Sequence, residues 1–181
     1  MSAIFKNFSG NKTLIPLEAG LNDFMMFSFP GDNGKSALMK GGRISKNSLI
    51  FDLLGDLDEL NCWLGLAKNY LGNKDKILIE EIQKDIFIIS GQIACAPKQS
   101  LKNNIDKLDE SLGVYMKKVG TLKCFIIPGK NKKSAIIDIV RTVCRRAERK
   151  AVAYGKINKE VLMYLNHLSK LLFYFARAVE K

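Results

Sequence analysis

The chain has 181 residues, 47% of them hydrophobic and 26% charged. That is enough for one domain with a core of its own and excludes wholesale disorder. Twenty-nine Lys and Arg against 18 Asp and Glu give a net charge of +11, an excess that favours anionic partners such as nucleic acid, phosphate-rich small molecules or an anionic membrane surface. No apolar run approaches the length needed to cross a bilayer, so no membrane partner is expected. The N-terminus lacks a basic-then-apolar signal pattern, and the first arginine is Arg43. The expectation is a cytoplasmic protein.

Residues 1–24 mix Gly, Asn, Lys and Pro without sustained periodicity and read as an irregular N-terminal extension, with one domain over 25–181. A short apolar run, Phe24–Phe29, is stopped by Pro30-Gly31. The polar, glycine-dotted stretch that follows, Gly31-Asp-Asn-Gly-Lys-Ser, reads as a loop whose backbone N–H groups could approach an anion. It is not a Walker loop, which needs glycine where Phe29 stands.

From Ser48 the pattern is helical almost to the end. A first helix is predicted over about Leu49–Leu71, entered at Asn47 or Ser48 and closed by Gly72-Asn73. A second covers about Asp75–Ala96, with Ile79, Ile82, Ile86, Ile89 and Ile93 at three- and four-residue steps before Pro97. A third covers about Asn104–Val119, placing Ile105, Leu108, Leu112 and Tyr115 on one face. Cys124-Phe-Ile-Ile-Pro-Gly reads as a buried connector. The last two helices cover about Ser134–Tyr154 and Lys159–Val179. Five amphipathic helices with short links predict an all-α, up-and-down five-helix bundle of the ferritin-like kind.

The four cysteines, 33, 29 and 20 residues apart, lack zinc-site spacing, and His167 is the single histidine. They read as four buried or half-buried thiols, and no metal site is expected.

Two helical segments carry chemistry. Arg141-Thr-Val-Cys-Arg-Arg-Ala-Glu-Arg149 sets Arg141, Arg145, Glu148 and Arg149 within one stripe at about 100° per residue, with Arg146 pointing elsewhere. Guanidinium groups this dense repel unless an anion joins them, and the forked donors suit a polyphosphate; a solvated face paired with acidic neighbours is the other reading. Gly55-Asp-Leu-Asp-Glu-Leu-Asn61 carries three acids, and packing of the first and fourth helices could set an Asp opposite an Arg.

In order, Pro30-Gly-Asp-Asn-Gly-Lys-Ser, Gly42-Arg-Ile-Ser-Lys46, Gly55-Asp-Leu-Asp-Glu-Leu-Asn61, the Arg141–Arg149 segment and Tyr164-Leu-Asn-His-Leu-Ser169 closely resemble the PduO-type ATP:cob(I)alamin adenosyltransferases. The resemblance spans about residue 25 to the C-terminus. It implies a homotrimer of five-helix bundles with ATP and cobalamin at subunit interfaces, moving the 5′-deoxyadenosyl group of ATP to the cobalt of cob(I)alamin and releasing triphosphate, with Mg²⁺ held mainly by the ATP phosphates. It implies ATP-binding roles for Ser28, Gly31, Asp32, Gly34, Lys35, Ser36 and Lys46 around the triphosphate, and for Arg145, Glu148, Arg149 and Asn166 along the nucleotide. Asp58 and Arg141 match an intersubunit ion pair that shapes the active site, so Asp58, Arg141 and Arg145 are the catalytic candidates. Phe125 matches the aromatic that packs under the corrin and excludes its lower ligand.

A reductase and an adenosylcobalamin-dependent enzyme are the further partners implied. The sequence departs from the family pattern at Phe27-Ser-Phe-Pro30, at Ile50 and Leu54, and at His167 and Lys170, and it stops shortly after Arg177. These departures suit an alternative, a weak or inactive ATP- and cobalamin-binding carrier or regulatory module. A nucleic-acid binder would need aromatics interleaved with basic residues on an exposed face, whereas Phe87, Tyr115 and Phe173 stand at core spacing. No nucleic-acid partner is therefore expected.

Overall fold

A computed structural model describes residues 31–38 and 42–180. The chain divides into two compact units, Met1–Asn33 and Gly34–Lys181. Of the first, the described residues Gly31, Asp32 and Asn33 form a turn. The irregular extension expected over 1–24, the Phe24–Phe29 run and Ser28 lie outside the described residues.

The second unit opens with a small hairpin that the sequence reading did not contain. Strands β1 (Lys35–Ala37) and β2 (Arg43–Ser45) pair antiparallel, with Ser36 opposite Ile44. Lys46 N–H donates to Gly34 O at 2.8 Å, and Arg43 Nη2 donates to Lys35 O at 2.7 Å. Gly34 has φ +72°, a left-handed conformation that glycine adopts without a Cβ clash. Three residues per strand are too few for alternation to stand out in sequence, which is why this segment reads as plain loop. Leu38 and Ile44 pack the hairpin against the helices.

Five helices follow: α1 (Leu49–Lys68), α2 (Asn73–Ile93), α3 (Lys102–Val119), α4 (Lys132–Tyr154) and α5 (Lys159–Ala178). Each lies within a few residues of its predicted span. The N-terminus of α4 carries a capping box, with Asn131 Oδ1 accepting from Ser134 N–H at 2.9 Å and Ser134 Oγ accepting from Asn131 N–H at 3.2 Å. The other end of α4 closes on Gly155 in the left-handed region, at φ +70°. Asn158 caps α5 by accepting from Glu160 N–H. Glu160 in turn accepts from Leu101 N–H at 2.6 Å, tying the start of α5 to the start of α3.

Helix α4 packs against both α1 and α5, with α2 against α1 and α3 against α5. The core holds every isoleucine of the predicted α2 stripe and the α3 set Ile105, Leu108, Leu112 and Tyr115. Leu53, Leu57, Leu60 and Leu64 join them from α1, and Leu165, Leu168, Leu172 and Phe175 from α5. Each such side chain contributes about 1.5–3 kcal/mol when fully buried.

Polar groups stitch the α2–α3–α5 side. Asp85 of α2 accepts from Tyr164 Oη at 2.9 Å and from Asn104 Nδ2 at 2.6 Å, and Asp75 accepts from Tyr115 Oη at 2.7 Å. Burial raises the Asp85 carboxyl above its ordinary range, while the bonds from Tyr164 and Asn104 pull the other way.

Three expectations about burial are corrected. Phe87 is half exposed on the outer face of α2. Of the four cysteines, Cys144 alone is buried, and Cys62, Cys95 and Cys124 are exposed. Cys144 meets Leu165 at the α4–α5 contact and sits among core residues, while Cys62 falls on the solvent side of α1 and Cys95 and Cys124 follow helix ends. The Cys124–Gly129 connector is not buried either: Phe125 is fully exposed at 105% and Ile127 at 89%, in an irregular segment without the periodic inner face of a helix.

Candidate functional site

The site is built on the outward stripe of α4, and ion pairing sorts its basic residues into two groups. Arg146 turns toward α1, where its Nε lies 3.2 Å from Asp56 Oδ2 and its Nη2 meets Glu59. Lys150 adds a contact to Asp56 Oδ1 at 3.4 Å. Asp56 is buried at 7% exposure, so this cluster holds α1 on α4 and is structural. Arg145 and Arg149 stay exposed outside it, with Arg149 Nη1 donating to Arg145 O at 3.1 Å. Glu148, between them in the stripe, is half-buried.

The sequence pattern therefore places Arg146 correctly away from the stripe. It allows an Asp–Arg pair between the first and fourth helices without naming Asp56 or Arg146, and within the chain that pair is Asp56–Arg146. Asp58, two residues on, is exposed. Within the chain Arg141 is paired elsewhere, its Nε donating to Asp138 Oδ1 at 3.0 Å.

Helix α5 sets the other side. Cys144 Sγ lies 3.4 Å from Leu165 O, which puts the Arg145 turn of α4 level with Asn166 of α5. Asn166 is exposed beside it. The Cys144 thiol is driven well above its usual range by burial and by the Glu148 charge, so it is an inert packing group. His167, next along α5, has Nδ1 2.7 Å from Asp109 of α3.

In the hairpin, Lys35 is exposed at the start of β1 opposite Ser45, Lys46 is exposed one residue past β2, and Ser36, opposite Ile44, is half-buried. Gly34 is exposed at the turn entering β1. Gly31 and Asp32 lie in the first unit's turn, half-buried and exposed respectively. Phe125 and Ile127 offer an uncovered apolar pair in the α3–α4 connector. Among the described residues, no group of three or more His, Cys, Asp or Glu could hold a metal ion, and no helix is long and apolar enough to cross a membrane.

One cluster escaped the sequence reading. Asp138, Arg177 and Phe173 gather around Arg141 where α4 and α5 pack. Its sequence signals are two pairs spaced i,i+3, Asp138–Arg141 and Arg177–Glu180, which look like ordinary helix-surface pairs until packing buries them.

The cobalamin adenosyltransferase family model matches residues 26–179. A cobalamin adenosyltransferase of Cupriavidus metallidurans is 38% identical over 157 residues, covering 83% of this chain and 85% of the relative. A corrinoid adenosyltransferase of Bacillus subtilis is 34% identical over 85% of this chain and 86% of its own. Among solved structures, a variant of a PduO-type ATP:corrinoid adenosyltransferase from Lactobacillus reuteri, complexed with cobalamin and ATP, superposes with a TM-score of 0.79 at 28% identity, covering 83% of this chain and 90% of that one. Motifs, bundle and relatives agree, and the chain belongs to the cobalamin adenosyltransferase family.

Proposed function

We propose that the protein is an ATP:corrinoid adenosyltransferase that transfers the 5′-deoxyadenosyl group of ATP to the cobalt of cob(I)alamin. The observation that carries the site assignment is the division of labour on α4: Arg146 and Lys150 are consumed by Asp56, while Arg145 and Arg149 stand exposed on the adjoining stripe. Forked guanidinium donors held on a rigid helix suit a nucleotide triphosphate.

Cobalt(I) supplies the attacking electron pair to C5′. The C5′–O bond breaks, and its electrons leave with triphosphate. No protein nucleophile or general base is required. The residues' work is to align C5′ with cobalt and to stabilise the departing charge. Arg145, Glu148, Arg149 and Asn166 hold the nucleotide. Gly34, Lys35, Ser36 and Lys46 bind the phosphates, and the family resemblance assigns Ser28, Gly31 and Asp32 to them as well. Phe125, fully exposed in the protomer, gives the corrin an apolar wall that keeps water and the lower ligand from cobalt. Mg²⁺ comes with the ATP phosphates, as the family resemblance implies.

Asp58 is exposed in the protomer, and it is free to meet Arg141 of a neighbouring copy in a homotrimer. Val152 supports a covered face: it lies two turns beyond Arg145 on the same side of α4 and is 63% exposed. Residence in the cytoplasm, with a reductase supplying cob(I)alamin and an adenosylcobalamin-dependent enzyme receiving the product, completes this reading. Equilibrium sedimentation tests the trimer. Incubation with ATP, Mg²⁺ and reduced cobalamin tests the chemistry: appearance of the cobalt–carbon chromophore with stoichiometric triphosphate supports it, and ATP binding without either product leaves a carrier.

A further inference from the structure

A single carboxylate is shared by two guanidinium groups at the α4–α5 contact. Asp138 Oδ1 accepts from Arg141 Nε at 3.0 Å, and Oδ2 accepts from Arg177 Nη2. The same Arg177 Nη2 lies 2.8 Å from Glu180 Oε1. The Phe173 ring sits beneath both cations, its centroid 6.0 Å from Arg141 Cζ and 5.7 Å from Arg177 Cζ. Arg177 is 3% exposed and Asp138 4%, so the pair is sealed in the bundle.

A buried ion pair stabilises little against an apolar pair of the same volume, and Arg177 Nε is left buried without a hydrogen-bond partner. The gain that this arrangement does supply is directional. Holding Arg141 by Nε, from its own helix and over a fixed ring, sets the plane of its guanidinium. Among the described residues nothing bonds Nη1 or Nη2, whose N–H groups lie at the partly exposed end of the side chain.

We propose that Asp138 and Arg177 are positioning residues for the transferase: Arg177 fixes Asp138, and Asp138 fixes the orientation of Arg141 at the active site. The inference rests on the functional reading above for the role of Arg141. It assigns to Asp138 and Arg177 no contact with either substrate.

A double-mutant cycle of Asp138→Asn and Arg141→Ala tests it, with kcat, ATP affinity by calorimetry and Tm measured for all four proteins. In the wild-type background Asp138→Asn should lower kcat about tenfold and weaken ATP binding several-fold. In the Arg141→Ala background the same change should alter both by less than about twofold, while a fall in Tm persists there because Arg177 still loses its buried carboxylate partner. Equal losses of kcat and affinity in the two backgrounds would overturn the proposal.

Should Asp138→Asn not fold, Arg177→Met in the same cycle asks the same question, because it withdraws the donor from Oδ2 and leaves the carboxylate paired with Arg141. Absence of turnover in the wild-type protein would sink the transferase reading alone, since the coupling remains measurable as ATP affinity.

Discussion

Arg146 of α4 reaches across to Asp56 of α1 at 3.2 Å, and its chain neighbour Arg145, about 100° around the helix, is exposed to solvent. One helix thus uses adjacent arginines for different ends. The first closes the bundle on a buried carboxylate, and the second belongs to the stripe assigned to the nucleotide. This separation makes stability and activity independently testable.

Replacing Arg145 by alanine should raise the KM for ATP at least about tenfold, as expected for losing a charge-assisted contact to phosphate. Its exposed position predicts an unchanged Tm. A normal KM would remove Arg145 from the nucleotide site.

Asp56→Ala should show the reverse pattern. It strands Arg146 and Lys150 without their shared buried partner, and a loss of about 2–3 kcal/mol in denaturant unfolding is expected. In the variant that remains folded, the ATP KM should stay within about twofold of wild type.

Asp58→Asn should lower kcat with little effect on the unfolding of the protomer, because Asp58 is exposed there. The informative comparison is kcat against the sedimentation-derived oligomer. A trimer with full turnover would show that the intersubunit pair with Arg141 does not form.

Much of this arrangement could be read from the chain alone, and the failures have physical causes. The α2 isoleucines and the α3 apolar set repeat at helical period and are buried as expected, because periodicity reports the core face directly. Asp56 against Asp58 could not be settled that way: both lie among acids on one turn, and the packing angle of α4 selects the first. Arg177 carries no burial signal of its own in the sequence, since the acid it meets, Asp138, lies on the neighbouring helix. The hairpin was invisible because its strands are only three residues long. The apolar run around Phe125 suggests a buried connector, but an irregular segment has no periodic inner face, and Phe125 is exposed.

Phe125→Ala should impair cobalt–carbon bond formation more than ATP binding. The side chain is fully exposed in the protomer, so its truncation should leave Tm unchanged. Equal damage to both substrates would place Phe125 outside the corrin contact.

The Asp85 carboxyl gives a pH prediction. Burial raises its folded pKa above the ordinary 3.8, so between these two values the folded state binds more protons than the unfolded chain. Stability contributed at this site is present at low pH and is lost as pH rises through the folded value. The difference in unfolding free energy between wild type and Asp85→Asn should therefore shift in favour of wild type as pH falls from neutrality toward 4. A pH-independent difference would contradict the shift.

The most direct test of the whole reading is a single spectroscopic experiment: purified protein, ATP, Mg²⁺ and chemically reduced cob(I)alamin, followed by absorbance with triphosphate assayed in parallel. Repeated turnovers giving adenosylcobalamin and one triphosphate per cobalt–carbon bond are predicted. ATP bound at the Arg145–Arg149 stripe with no adenosylcobalamin formed would contradict the transferase and leave a binding module on the same bundle.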